Sequence, residues 1–486
     1  MPVYYLLPQD VLYFGSGQLP RTPWPAPCVV FDALHAALHR AFPQVQLWER
    51  LHAFGVNGTY ANRREKPQRF GSLQTVGPFP SVVRGRQAAW YFPAPANVRW
   101  ASDGGVTAEK PQMIEPSVQG LRFESLPDSP PAVPGESSPS CWWSKEAVEA
   151  WLAGCQPAPG GMCLEKELFA VDPIIENRLG DSPANGMPRR SVAYLRCRDD
   201  VVLGCLISLA LPGQADGDGL AALLAKLPGY LALGGRQRLC RIVPGKKASP
   251  EANRVQSTLR SPARGTEDGG GVLPPEVLLP LSPPITGERV KWMLLSPAIF
   301  PPVPRQETKP HIRDHPGGWL PNWVCPATGQ VLLRKGMKER SGMGREEWRQ
   351  SIRQLPPLDC RLVAASIPPL VDYQGWSERR HLRLHLKDAR PGPKPARRAV
   401  SAGAVYYFEG PDAPELARLL SWHGEPGGRH PSVFHRRSTL LGEKGFGLGV
   451  CGPWTSLDEA LQERAAELGH PAAGGPSTLN PGQESS

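Results

Sequence analysis

The 486-residue chain holds ten cysteines but lacks any CxxC pair and any histidine doublet at zinc-finger spacing. Scattered cysteines without those spacings exclude the common structural zinc modules and point to free, mostly buried thiols in a reducing cytoplasm. An export signal is missing too. The opening MPVYYLLPQDVLYF has no basic stretch before its apolar residues and no small-residue cleavage site, so it reads as a first strand. No apolar run approaches bilayer length: the longest, residues 201–211, is far short of the ~20 residues a spanning helix needs. It reads as a buried strand, and no membrane insertion is expected. Nor does a Lys-Ser or Lys-Thr pair follow the glycine-rich stretch near the C-terminus, which excludes a Walker loop.

What the chain has in excess is proline and glycine, 57 and 51 residues respectively, nearly double ordinary usage. Long loops between ordered elements follow from that. A net charge of +10 favours a polyanionic partner. Five glycines crowd into LGEKGFGLGVCGPW, residues 441–454: Gly442, Gly445, Gly447, Gly449 and Gly452. Glycine permits positive φ and close backbone approach, and successive N–H groups form an anion-binding concavity that needs no charged side chain. Gly445, Gly447 and Gly449 are therefore candidates to cradle phosphate, with Phe446 packing below or stacking a base; an ordinary tight turn is the alternative. The letters GLGVCG also match the dinucleotide fingerprint, but one helix-like segment and a Gly/Pro/Ser-rich tail leave no room for the required βαβ unit.

Taken in order, residues 4–14 read as a strand. A proline-led approach then enters FDALHAALHRAF, whose Phe31, Leu34, Leu38 and Phe42 share a helix face, with Asp32 placed in the first turn. His35 and His39 stand four apart and lack a third metal ligand, so they read as an exposed basic face. Residues 69–80 and 88–98 are strand-like, 103–140 read as loop with disorder near 130–139, and Ser144 is a candidate N-cap for a helix to residue 152. Two strands frame a polar loop, residues 174–190, carrying Arg178, Arg189 and Arg190; a projecting hairpin is the natural form. After a helix-like run at 220–227, Gly234 and Gly235 stand beside Arg236 and Arg238, a second candidate anion site. Residues 244–287 read as a linker, dividing 1–243 from 288–468, with a disordered tail at 469–486. In the second half, 334–353 read as a basic mobile segment, HLRLHLK at 381–387 as a strand with one cationic face, and 456–468 as a last helix.

Each half thus holds strands, a helix, more strands and another helix. The pattern is an α+β chain of two ferredoxin-like (RRM-like) β-α-β-β-α-β domains with long loops and insertions. DVLYF, WPAPCVVFDALHAAL, GPFP with YFPAPANV, LGGRQR, SPAIF with GGWLPNW, the QGW turn, VSAGAVYYFE and GFGLGVCGPW occur in that order, and this colinear set resembles the CRISPR-associated repeat-associated mysterious protein (RAMP) superfamily. More closely it resembles the Cmr-complex (type III-B) subunit that holds the 5′ tag of CRISPR RNA. The chain departs from that family in Gly15-Ser16, where an Arg-Asp pair is usual. It departs again in Asp32-Ala33-Leu34-His35, where Gly-Ala-Leu-Arg is usual, and in Ala170-Val171 before the hairpin, where Gly-Ile is usual.

The resemblance implies a binding subunit without catalytic residues, metal or cofactor, gripping the RNA tag and touching the large polymerase-like Cmr subunit and a Cmr backbone subunit. His35, Arg178, Arg189, Arg190, Gly234, Gly235, Arg236, Arg238, Gly445, Phe446, Gly447 and Gly449 are the expected RNA-binding residues, since a fixed RNA end needs phosphate contacts and stacking platforms. The alternative is a metal-independent endoribonuclease that processes CRISPR RNA, with His35, His39, His423, His430 and His435 as candidates. A scaffold without RNA contact is a third reading.

Overall fold

The computed structural model describes residues 2–14, 24–41, 73–84, 87–100, 106–108, 112–117, 120–123, 141–177, 189–208, 229–235, 238–245, 278–304, 314–336, 345–373, 376–377, 392–393, 396–424 and 436–455. The chain is a mixed α/β structure dominated by two large antiparallel sheets, with few helices among the described residues. In the first half, β1 (Val3–Pro8) and β2 (Leu12–Tyr13) precede α1 (Pro27–Ala41), β3 (Gln74–Arg84), β4 (Gln87–Pro93), β5 (Val98–Trp100), β6 (Val106–Ala108), β7 (Gln112–Ser117) and β8 (Gly120–Phe123). Then follow β9 (Cys141–Ser144), α2 (Lys145–Leu152), β10 (Met162–Leu164), α3 (Glu165–Leu168), β11 (Phe169–Asn177), β12 (Arg189–Cys197), β13 (Val201–Ser208), β14 (Tyr230–Leu233) and β15 (Arg238–Pro244). The second half supplies β16 (Arg289–Leu294), α4 (Arg345–Gln354), β17 (Arg361–Ser366), β18 (Val371–Tyr373), β19 (Trp376–Ser377), β20 (Gly392–Pro393), β21 (Arg397–Ala399), β22 (Val405–Glu409), α5 (Ala413–Leu420) and β23 (Gly449–Pro453).

The first sheet runs β10-β9-β4-β3-β13-β1-β15-β14 and the second β23-β16-β22-β17-β7-β8. Alternation in β1 sends Tyr4 and Leu6 toward α1, where Val30, Leu34 and Leu38 meet Leu203, Cys205 and Leu231 in one core. In the second half Leu416 and Leu420 of α5 pack on Trp292, Tyr406 and Phe408. A third core joins the two sheets face to face: Val76, Phe79 and Trp90 from the first half contact the cluster of Met293, Val363, Tyr407 and Val450 from the second. Burying apolar side chains on both faces explains why strands such as β13 read as continuous apolar runs rather than alternating ones.

Several boundaries differ from the sequence expectation. The first strand is broken after Pro8, and Leu12–Tyr13 pairs with β12 in a separate sheet, β11-β12-β2. Helix α1 begins at Pro27, which suits a helix's first position because its missing N–H is not needed there; Asp32 consequently lies beyond the first turn. Residues 112–117 and 120–123, taken for loop, are the antiparallel pair β7 and β8, which lends two strands to the second half's sheet through Ala364↔Met113 and Ala365↔Gln112. Part of the basic segment expected to be mobile is helix α4. The end of the expected linker is a buried strap: Leu278 and Leu279 are in the inter-sheet core, Leu281 N–H donates to Glu149 Oε1 (2.9 Å), and Trp422 Nε1 donates to the Pro280 carbonyl (2.6 Å). The Ser144 cap formed as expected, its hydroxyl accepting from Ala147 N–H (3.3 Å). HLRLHLK, the helix-like runs at 220–227 and 456–468, and the tail lie outside the described residues. No helix of the described residues is long and apolar enough to cross a membrane.

Candidate nucleic-acid interface

Glycines at 445, 447 and 449 are buried, and the reason for each is a neighbour of the chain itself. At Gly447, with φ 76°, a Cβ would land on the Ser438 backbone nitrogen. A Cβ at Gly449 would strike the Trp292 indole, and at Gly445 it would press on Thr75 O at 3.0 Å. The N–H groups that a phosphate would need already donate within the fold: Gly445 to Gly442 O (3.0 Å), Gly447 to Pro297 O (2.7 Å), and Leu448 to Ser296 Oγ (2.9 Å). Phe446 is fully buried and meets Tyr373 edge-on at 5.5 Å. The expected phosphate cradle is thus corrected: these glycines permit close packing, and Phe446 packs below the loop rather than stacking a base.

The same loop ties the two halves together. Lys444 Nζ donates to Asp32 Oδ1 of α1 (2.6 Å) and sits 4.7 Å above the Phe31 ring. The partners stand 412 positions apart, so no local pattern could have revealed them. A second tie is Lys291, only 7% exposed, whose Nζ donates to the Trp151 carbonyl (2.8 Å) and lies 4.0 Å over that residue's ring. Burial lowers its pKa to about 8.

Gly234 and Gly235 close the β14–β15 turn against Tyr13 and Phe14: a Cβ at Gly234, φ 72°, would meet Tyr13 O and the Phe14 ring, and one at Gly235 the Tyr13 ring at 2.6 Å. Arg238 binds the Asp10 carboxylate and lies 5.5 Å over the Tyr194 ring, so much of its charge is answered inside the chain. Arg236 lies outside the described residues.

The expected hairpin is present. β11 and β12 pair over nine residues from Phe169↔Cys197 to Asn177↔Arg189, with Arg190 opposite Glu176. Arg189 and Arg190, expected on the loop, instead open strand β12 at the end of its pairing with β11, and Arg178 lies outside the described residues. Nearer the base, Arg196 pairs with Asp172 (2.8 Å).

Among the described residues, His35, His315 and His423 each have surroundings of their own. His35 is 5% exposed and stacks on Phe31 at 5.8 Å, so the exposed basic face expected on α1 does not include it. His423 accepts the Ser282 N–H on Nε2 (3.0 Å). His430 and His435 are outside the described residues, as is the side chain of His39. His315, not singled out from sequence, is buried at a loop crossing: Nδ1 accepts from Gly317 N–H (2.9 Å) and Nε2 approaches Val324 O (3.1 Å), with burial holding its pKa below the ordinary value. All ten cysteines are free. Among the described residues no group of three or more His, Cys, Asp or Glu is arranged to hold a metal.

A family model described as CRISPR-associated protein (Cas_Cmr3) matches residues 4–268. Similar solved structures include a chain of a Type III-B Cmr-beta bound to cognate target RNA and AMPPnP, at 11% identity and TM-score 0.33, covering 83% of this chain and 86% of that one. A chain of a Csm3-Csm4 subcomplex of the type III-A CRISPR-Cas interference complex is similar at 10% identity and TM-score 0.30, covering 84% and 94%. No curated protein matches.

Proposed function

The chain belongs to the Cas_Cmr3 family of CRISPR-associated proteins, and from that premise we propose that it is a non-catalytic, RNA-binding subunit of a type III-B (Cmr) effector ribonucleoprotein. It anchors the 5′ tag of CRISPR RNA at the base of the particle, touching the large polymerase-like subunit and a backbone subunit, in cytoplasmic antiviral defence. The family match over residues 4–268 carries the reading, because it spans α1, the β11–β12 hairpin and the Gly234 turn together. Two strand orders support reading each half as a ferredoxin-like unit: β3-β13-β1-β15 and β17-β22-β16-β23 are the orders a β-α-β-β-α-β chain requires.

With Gly445 to Gly449 and His35 turned inward, the RNA-facing set in this reading is the hairpin group Arg178, Arg189 and Arg190, joined by Arg236 beside the Gly234 turn. A net charge of +10 supplies the long-range attraction. The inward positions of His35 and His423 favour binding over the endoribonuclease alternative, since a histidine acting on a 2′-hydroxyl must reach it. The test is incubation of the full chain with labelled CRISPR RNA, with and without its 5′ tag. Tag-dependent binding with intact RNA is expected, and each lost arginine contact flattens the log–log salt slope by roughly 0.7. Specific cleavage, abolished by His435→Ala or His35→Ala, would establish the nuclease instead.

A further inference from the structure

The hairpin strands β11 and β12 belong not to the first sheet but to the separate three-stranded sheet β11-β12-β2, and the chain crosses from one sheet to the other between β1 and β2. Asp10 stands at that crossing. Its Oδ1 accepts the Val11 N–H (2.7 Å), while its Oδ2 accepts from the guanidinium of Arg238 at the start of β15 in the first sheet. Beside it Gln9 N–H donates to the Leu239 carbonyl (3.0 Å). Arg238 makes a second contact between the two sheets: its guanidinium lies 5.5 Å over the ring of Tyr194 on β12, and that ring meets Tyr13 of β2 at 5.5 Å. One side chain of the first sheet thus grips both the crossing and the hairpin.

Register shows what that grip controls. Side chains alternate along a strand, so positions 190, 192, 194 and 196 of β12 share one face, while Leu195 and Cys197 lie on the other, packed with Phe169 in the α1 core. Arg190 therefore stands on the face of Tyr194, farther along the same strand by roughly 13 Å. A small rotation at Tyr194 moves position 190 by a larger distance. The opposite face is held at its root, where Phe169 packs against Trp24 at 5.3 Å and Trp142 at 6.3 Å, and Trp24 Nε1 donates to the Pro78 carbonyl of β3 (2.9 Å). The hairpin is gripped from both faces, by aromatic packing on one and by Arg238 on the other.

We infer that Arg238 is a positioning residue for RNA binding: with Asp10 and Tyr194 it fixes the hairpin against the first sheet and acts on RNA through Arg190, without a phosphate contact of its own. The inference rests on the RNA-binding reading above. A guanidinium meant for phosphate gains nothing from a carboxylate that competes for it, whereas one that bridges a carboxylate and an aromatic face uses both its charge and its flat surface. The Arg238 and Asp10 side chains are 32% and 57% exposed, and a pair so open to solvent adds little to overall stability. Its effect is on geometry. A brace sets the fraction of molecules whose hairpin is ready to bind, and losing it lowers apparent affinity by that fraction while the bound complex keeps every phosphate contact. Affinity and salt slope therefore separate.

The experiment measures the anisotropy of labelled, tagged CRISPR RNA on the full chain over a range of salt, with hydrogen exchange of the free chain read alongside. Asp10→Asn retains the oxygen that accepts the Val11 N–H and removes one negative charge. Charge alone predicts equal or tighter RNA binding, whereas loss of the brace predicts binding weaker by about fivefold, with faster exchange of the β12 amides and unchanged exchange in β13. Arg238→Gln is expected to lose affinity by a similar factor and keep the salt slope, unlike Arg190→Ala, which flattens it by roughly 0.7. The double variant is expected to lose no more than either single one, because both remove the same tie. Parent-like or tighter binding by Asp10→Asn overturns the proposal, as does unchanged β12 exchange in both variants. So does a slope flattened in Arg238→Gln as much as in Arg190→Ala, which would make Arg238 a direct contact. Those outcomes leave the RNA-binding reading standing; failure of the parent chain to bind the tagged RNA overturns that reading and this inference with it.

Discussion

Gly234-Gly235 and Gly445 to Gly449 look alike as sequence, each a glycine cluster beside cationic residues, yet the fold uses them differently. The first lies at the rim of a sheet, where Gly234 is exposed and passes under Tyr13 and Phe14 while Arg238 reaches Asp10. The second is buried throughout, donates its N–H groups to the chain's own carbonyls and hydroxyls, and sits between α1, β3 and β16. Glycine density reports that something approaches the backbone closely. Whether that is a phosphate or another part of the same chain is decided by tertiary contacts hundreds of positions away, which no local spacing encodes.

The sharpest way to break this comparison is Gly447→Val. A branched side chain at φ 76° against the Ser438 backbone should cost roughly 3 kcal/mol of stability, seen as an earlier denaturant midpoint, while RNA affinity per folded molecule stays unchanged. Affinity lost with the midpoint kept would restore the phosphate cradle.

Next in size is the seam at Lys291. Its folded pKa of about 8 lies below the ordinary 10.5, so between those values the unfolded chain binds more protons than the folded one and stability rises with pH. The cost of holding the charge inside is complete below pH 8 and relieved toward 10.5. Lys291→Met should therefore gain on the order of 2 kcal/mol relative to the parent at neutral pH, and that gain should shrink steadily as pH rises through the window. A difference in melting temperature independent of pH would contradict the assignment.

Gly234→Ala tests the first cluster. Positive φ and contact with Tyr13 O should cost about 1–2 kcal/mol, a smaller loss than at Gly447. Lys444→Ala, removing one ion pair and its ring contact at the seam, should cost about 1 kcal/mol or less. Equal losses at Gly234 and Gly447 would erase the distinction between rim and seam.

Much of the architecture was legible because it is local. Apolar spacing in FDALHAALHRAF gave α1, the Ser144 cap gave the start of α2, and the unbroken apolar run at 201–208 gave a strand buried on both faces. Contacts between the halves were not. β7 was hidden in a Pro- and Ser-rich stretch because its partner strand β17 lies some 250 residues later, and the Lys444–Asp32 pair has no sequence pattern at all. For the candidate site, a hairpin was legible around residues 174–190, but Arg189 and Arg190, expected on its loop, are the first residues of strand β12. The glycine loop and His35 were assigned to RNA by residue type, and burial, which residue type does not report, turned them inward.

The most direct test of the account is a crosslinking map of the assembled particle, with photoreactive uridines in the 5′ tag of CRISPR RNA and digestion of this chain to locate the adducts. The account predicts adducts on the hairpin peptides bearing Arg178, Arg189 and Arg190, and none on the peptide that holds Gly445 to Gly449. Tag adducts confined to the glycine loop, or no adduct on this chain at all, would contradict it.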